Sequence, residues 1–189
     1  MFTGFTRRSA MMTLSAAALA SMLPVPAMAR EPAAEIEAKS RAALAELYAG
    51  NPKAAAIGER AKGVMVFPNI IKGGFVIAGS SGDGVLLVDD KVSKYFNISS
   101  ASVGLQAGGQ SYGYALFFMT DEKLAEASSD ANWDVGSDPN VVVLDKGAAA
   151  ELDTTSLDKA VYAFAFSQKG LMAGISLKGS RTKEIHPSK

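Results

Sequence analysis

The chain contains no cysteine, and its 189 residues include one histidine and one tryptophan. Without cysteine there are no disulfides, no thiolate metal sites, no cysteine nucleophile and no lipid-anchor cysteine after a leader. His186 stands alone near the C-terminal end, so no multi-histidine metal site can form, and it makes a poor general base. An excess of either charge is also missing: 19 basic residues face 19 acidic ones. That balance gives no general attraction for polyanions, and nucleic acid is not an expected partner. No apolar run is long enough for a stable membrane span in the mature chain.

Chemical motifs are equally scarce. Gly79 to Gly84 has the composition of a phosphate loop. It lacks the Gly-Lys-Ser/Thr ending and is followed by a strand pattern, not a helix, so it reads as a hairpin turn. Asp83, Asp89 and Asp90 do not have the spacing of a calcium loop. No serine sits in a nucleophile elbow, and no acid, base and nucleophile form a recognisable set. The expectation is a protein that is not an enzyme and carries no cofactor and no metal.

What is present begins with an export leader over residues 1–29. Arg7 and Arg8 form its basic end, Ala10 to Leu23 its apolar stretch, and Ala27-Met28-Ala29 a small-x-small cleavage site. The expected mature chain starts at Arg30 and is periplasmic or secreted. The Arg7-Arg8 pair after Thr6 also fits twin-arginine export. Without the leader, 17 basic residues face 19 acidic ones, a net charge near −2. About 160 residues then suffice for one domain over 30–189 with one core.

The mature chain starts helical. Ile36, Ser40, Ala43, Leu44 and Leu47 recur at helical spacing over Glu31 to Tyr48, and Gly50 is a stop. Asn51-Pro52 supplies an N-cap and a first-turn proline for a second helix, expected to run to Gly63. The pattern then changes to strands. Val64 to Phe67 is a short strand stopped by Pro68, Gly73 to Ser80 is the next, and Ser81 to Gly84 is a tight turn into Val85 to Val88. Asp89-Asp90 turns the chain again into Val92 to Asn97. Thr120 caps a short helix with Asp121 and Glu122 in its first turn, and Lys123 in that helix serves as a comparison lysine outside the candidate site. Val141 to Asp145 is a strand, Gly147 to Leu152 a helical turn or two, and Val161 to Ser167 a strand with Tyr162, Phe164 and Phe166 on one face. Gly170 to Gly179 is another strand, and Arg181 to His186 forms a last one.

The most informative stretch is Ser102 to Met119, which alternates strictly. Residues Val103 through Met119 at odd positions form a small or apolar face, and four glycines interrupt the run. Period two over this length predicts one long strand, and glycines inside it predict bends. The expected fold class is α+β: N-terminal helices packed on a strongly curved, mostly antiparallel, glycine-rich sheet or small barrel.

Four strings in order, Val66–Phe75, Gly82–Leu87, Ser102–Gly113 and Val161–Gly174, resemble the SYLF domain family, and the likeness runs from about Glu37 to Ile185. The resemblance implies a lipid-binding domain whose partner is an anionic phospholipid or a membrane surface. Fungal relatives also help to organise actin. Glu31, Glu35, Glu37 and Glu46 outweigh Lys39 and Arg41 in the first helix, which is not the basic, apolar helix of a membrane-surface anchor. The candidate headgroup contacts are Lys72, placed beside Gly73-Gly74, with Arg60 and Lys62 before it on one expected basic surface, and Lys169 in a second basic group with Lys178, Arg181 and Lys183. Trp133 and the Tyr112/Tyr114 pair line an apolar groove or belong to the core. The alternative reading is a structural or protein-interaction module of the cell envelope without a lipid ligand. The sequence leaves the oligomeric state open.

Overall fold

A computed structural model describes residues 30–74, 77–103, 108–129, 132–144, 157–170 and 177–189. Helix α1 spans Ala33–Gly50 and α2 spans Pro52–Gly58. Strands β1 (Gly63–Gly74), β2 (Ile77–Val88), β3 (Lys91–Val103) and β4 (Gly108–Phe118) follow. After them come α3 (Asp121–Ser129), β5 (Val141–Leu144), β6 (Val161–Gly170) and β7 (Ser180–Ile185). The fold is α+β, as its sequence pattern predicts. The expected leader over 1–29 and the helical turns at Gly147 to Leu152 lie outside the described residues.

The strands form one seven-stranded sheet in the order β5-β6-β4-β1-β2-β3-β7. It is open, so the barrel alternative does not hold. Every pairing is antiparallel except β5 with β6. β1 to β4 lie in the spatial order 4-1-2-3, a Greek key.

Helices form where the apolar spacing requires them. Ile36, Ser40, Leu44 and Leu47 are the buried residues of α1, and they press on one face of the sheet against Val64, Val66, Val85 and Phe117. Asn51 caps α2: its side-chain oxygen accepts from the backbone N–H groups of Lys53 and Ala54, both at 3.1 Å. α2 ends at Gly58, earlier than expected, because Gly63 already belongs to β1 and pairs with Phe118. The opposite face of the sheet carries a second core of Met65, Phe67, Leu86, Phe96, Leu116 and Phe118, closed by α3 and the loop with Trp133. Along most of its length β4 is therefore buried on both faces, not on one. We call the two sides the helix face and the loop face.

Four strand assignments change. Gly73 to Ser80 is not one strand: it holds the end of β1 at Gly74 and the start of β2 at Ile77, which pair antiparallel. Pro68 does not end β1. It sits in a bulge between Phe67 and Ile70, where the register against both neighbours shifts and a missing N–H costs little. Ser81 to Gly84 is no turn but the middle of β2, paired with β3 throughout and with β1 at Ser81. Its glycines answer to close approach. A Cβ on Gly84 would collide with the carbonyl oxygen of Val66, beside the bulge. Finally, Ser102 to Met119 is not one strand: β3 ends at Val103 and β4 begins at Gly108, beside β1. The Asp89-Asp90 turn is as expected, with φ of 50° and 58° at its two residues, the left-handed pair of a two-residue hairpin.

Candidate functional site

The end of the sheet farthest from α2 extends beyond the helices, and both of its faces carry unusual residues. On the loop face, one row crosses six strands. Strand register places Ser180, Ser100, Ser80, Lys72, Gln110 and Gly170 side by side on β7, β3, β2, β1, β4 and β6. Every residue of the row except Gly170 has a side chain that can hydrogen-bond. The Ser80 and Ser100 hydroxyls lie 2.7 Å apart. Ser80 also hydrogen-bonds with Tyr112, whose hydroxyl burial pushes above its ordinary pKa of 10.0 while Ser80 pulls it back. Lys72 is half-buried and forms no ion pair among the described residues.

Gln110 is the residue sequence reasoning missed. It is 4% exposed, and neither its amide nitrogen nor its amide oxygen has a hydrogen-bond partner. The Tyr114 hydroxyl, on the same face of β4, is likewise buried and unpartnered. Burial, and then the neighbouring Tyr112, push its pKa well above 10.0. Its ring meets that of Tyr112 edge-on at 5.5 Å. Gln110 and Tyr114 account for all the buried side-chain N and O atoms left without partners among the described residues. Most buried polar atoms find partners, so a cluster confined to one strand face calls for an explanation.

The helix face of the same end is apolar. Ile71 is 63% exposed and Ile77 69% exposed, and they are the exposed large hydrophobics of the described residues. Register puts both on the helix face, with Gly73, Gly79 and Gly109 aligned between them. Lys169 is exposed and lies in the Ile71–Ser111 row. An open groove of about 650 Å³ runs from Ile71 and Asn69 to Arg30, Glu31, Lys39 and Asp83. It is charged in both senses, since Arg30 already pairs with Asp83 at 3.1 Å and Lys39 with Glu31 at 2.7 Å.

The four lysine and arginine candidates do not form one surface. Lys72 and Lys169 share the free end of the sheet, on opposite faces and two strands apart. Arg60 and Lys62 lie at the other end of β1, roughly 30 Å away at ordinary strand rise, and Lys62 faces Asp121 at 3.8 Å. The expected surface of Arg60, Lys62 and Lys72 therefore fails, because β1 does not stop at Pro68 but carries Lys72 to its far end. The second basic group also divides. Arg181 and Lys183 are on the edge strand β7, while Lys169 is on β6 near the other edge, and Arg181 pairs with Asp134.

Trp133, Tyr112 and Tyr114 are core residues, 3%, 6% and 1% exposed. Lys123 is not a surface lysine. It pairs with Asp138 and, at 2.9 Å, with Glu126, and its ammonium lies 5.7 Å from the Trp133 ring. Trp133 Nε1 donates to Asp138 at 3.0 Å. This cluster pins the 132–140 loop to α3 and is structural. Asp83 and the Asp89-Asp90 turn stand at separate places along the β2–β3 hairpin, and no group of potential metal ligands occurs among the described residues. No described helix is long and apolar enough to cross a membrane.

Residues 99–186 match the model of the Ysc84 family, described as Las17-binding protein actin regulator. This match, over 99–186, agrees with the SYLF resemblance of the sequence strings. The matched part runs from β3 through β7, so it includes Gln110, Tyr112, Tyr114 and Lys169, while Lys72 and Ile71 enter from β1 beside it. A comparison with curated proteins gives no match.

Proposed function

We propose that this chain is an exported, non-catalytic lipid-binding domain that contacts anionic phospholipid headgroups at the cell envelope. The observation that carries the reading is the free end of the sheet. There Lys72 stands half-buried in a row of hydrogen-bonding side chains, while exposed Ile71 and Ile77 flank it on the other face. Exposed apolar side chains next to cations suit a membrane interface, where the chains enter the acyl boundary and the cations meet phosphates. The SYLF resemblance of the sequence strings, with which the family match agrees, implies lipid binding, and Lys169 adds a second cation at the same end. Arg60 and Lys62 take no part in this contact, being at the far end of β1.

Net charge supports a local site and not a global one. With a net charge near −2 once residues 1–29 are removed, the mature chain has no overall attraction for an anionic surface, so any attraction comes from a cluster. Vesicle co-sedimentation tests this. The mature protein should bind phosphatidylglycerol vesicles better than phosphatidylcholine vesicles, and Lys72→Glu should weaken that binding. Lys91→Glu is the control, because Lys91 is exposed at the opposite end of the β2–β3 hairpin. Equal behaviour of the two variants would remove Lys72 from the site. Indifference of the parent to vesicle charge would favour a structural or protein-interaction module of the envelope.

A further inference from the structure

We infer that Gln110 and Tyr114 form the inner, selective part of the Lys72 site, and that it takes a phosphate ester carrying a free hydroxyl beside the phosphate. The argument starts from what is unsatisfied. Gln110 offers two N–H donors and one carbonyl acceptor, and Tyr114 one donor and one acceptor. None of these is used, and all are shielded from solvent. A buried amide left in this state weakens the fold, and an apolar side chain of the same shape would not carry that cost. The strand gives no reason for glutamine here: its neighbours on the same face, Tyr112 and Tyr114, are core residues.

The missing partner can be read from the groups that lack one. Gln110 Nε2 needs an acceptor, and Lys72 in the adjacent register position calls for a negative one, so a phosphate oxygen satisfies both. Gln110 Oε1 cannot be satisfied by a bare anion. It needs a donor, and a donor bearing positive charge would be repelled by Lys72. A neutral hydroxyl on the same ligand meets the requirement, and the Tyr114 hydroxyl can bond to either group. The Ser80–Ser100 pair and Tyr112 continue the hydrogen-bonding surface toward the half-buried Lys72, where the site opens. Such a group occurs in a hydroxylated phospholipid headgroup and in a free polyol phosphate. The inference rests on the anion reading of Lys72, and the experiment separates these sources.

The parent, Gln110→Leu and Tyr114→Phe proteins are compared on vesicles of phosphatidylcholine with either phosphatidylglycerol or phosphatidylmethanol. The two anionic lipids carry the same charge and differ in the free hydroxyls. In parallel, glycerol 3-phosphate and methyl phosphate are titrated in solution. The parent should prefer the hydroxylated member of each pair by roughly 2- to 12-fold, the worth of one net hydrogen bond. Both variants should lose the preference and keep the charge-dependent binding. Gln110→Leu should also melt no lower than the parent, a result that a structural glutamine would not give. If Gln110→Leu does not fold, Tyr114→Phe carries the comparison. Preference in solution without vesicle binding supports the inference and removes the lipid reading. Vesicle binding without any preference, or a preference that survives in the variants, overturns the inference and leaves the lipid reading standing. No binding of any probe overturns both.

Discussion

Gly113 on β4 lies directly beneath the ring of Phe166 on β6: a Cβ at position 113 would collide with Cε2 and Cζ of that ring. The glycine is required by the neighbour and not by backbone conformation. Gly113→Val should therefore destabilise the domain by about 1–3 kcal/mol through overpacking. Chemical denaturation measures it. Combining it with Phe166→Ala should cost less than the two single changes added together, because the removed ring leaves room. Strict additivity would mean that the clash is relieved elsewhere. Gly108 differs: nothing lies near its missing Cβ, but its φ of 133° is a conformation side chains avoid. Gly108→Val should also destabilise, through about 1–3 kcal/mol of backbone strain, and no second-site truncation should rescue it.

The Lys123–Asp138 pair gives the domain a pH window. Both side chains are nearly buried, at 7% and 6% exposure. Burial acts to raise the Asp138 carboxyl, but hydrogen bonds from Lys123, Asn140 and Trp133 outweigh it and hold the pKa below its ordinary 3.8. Burial likewise acts to lower Lys123, and Asp138 and Glu126 outweigh it, holding the pKa above 10.5. For the depressed acid, the stabilisation is full above the unfolded value and is lost as pH falls through the lower folded one. For the raised base, it is full below 10.5 and lost as pH rises beyond the folded value. Trp133 fluorescence should thus stay constant from about pH 5 to 9 and change below about pH 4. In Asp138→Asn the acid transition at Trp133 should disappear. Lys123→Glu, which sets a carboxylate against Asp138 and Glu126, should unfold the loop or cost about 3–5 kcal/mol.

Asn51 is the capping residue of α2, and its side-chain oxygen accepts both bonds to the first turn. Asn51→Ala should cost about 0.5–2 kcal/mol, while Asn51→Asp should be nearly neutral. Thermal melts of the three proteins decide it. Equal losses in both variants would place the role in the amide nitrogen instead.

What could be read in advance depended on how local each signal is. The α1 face of Ile36, Ser40, Leu44 and Leu47, the Asn51-Pro52 start of α2 and the Asp89-Asp90 turn are all set by neighbours in sequence, and they were legible. The family strings were legible too, and the family match covers the two later ones. Gly82-Asp83-Gly84 was misread because glycine serves both tight turns and close approach. The choice here is made by the Pro68 bulge on the adjacent strand. The same bulge lets β1 continue and carries Lys72 away from Lys62. Gln110 gave no signal at all. Its significance lies in having no partner, which only the packed sheet reveals. Lys123 looked ordinary because its strongest partner, Asp138, comes from a later loop.

The two faces of the free sheet end should contribute to vesicle binding in different ways. Lys72 and Lys169 act through charge, and attraction between exposed charges is screened over about 8 Å at physiological ionic strength. Ile71 and Ile77 act by leaving water, which salt does not screen. At 63% and 69% exposure each has most of its side chain available for burial, and full burial of such a side chain is worth about 1.5–3 kcal/mol. Lys72→Glu should therefore reduce binding strongly at low salt and little at high salt. Ile71→Ser with Ile77→Ser should lower binding by a similar factor at every salt concentration, and it should leave thermal stability unchanged because neither residue packs in a core. Vesicle binding measured across a salt series separates the two slopes. If the double serine variant binds like the parent, the headgroup contact is purely electrostatic, and the exposed isoleucines do not enter the bilayer.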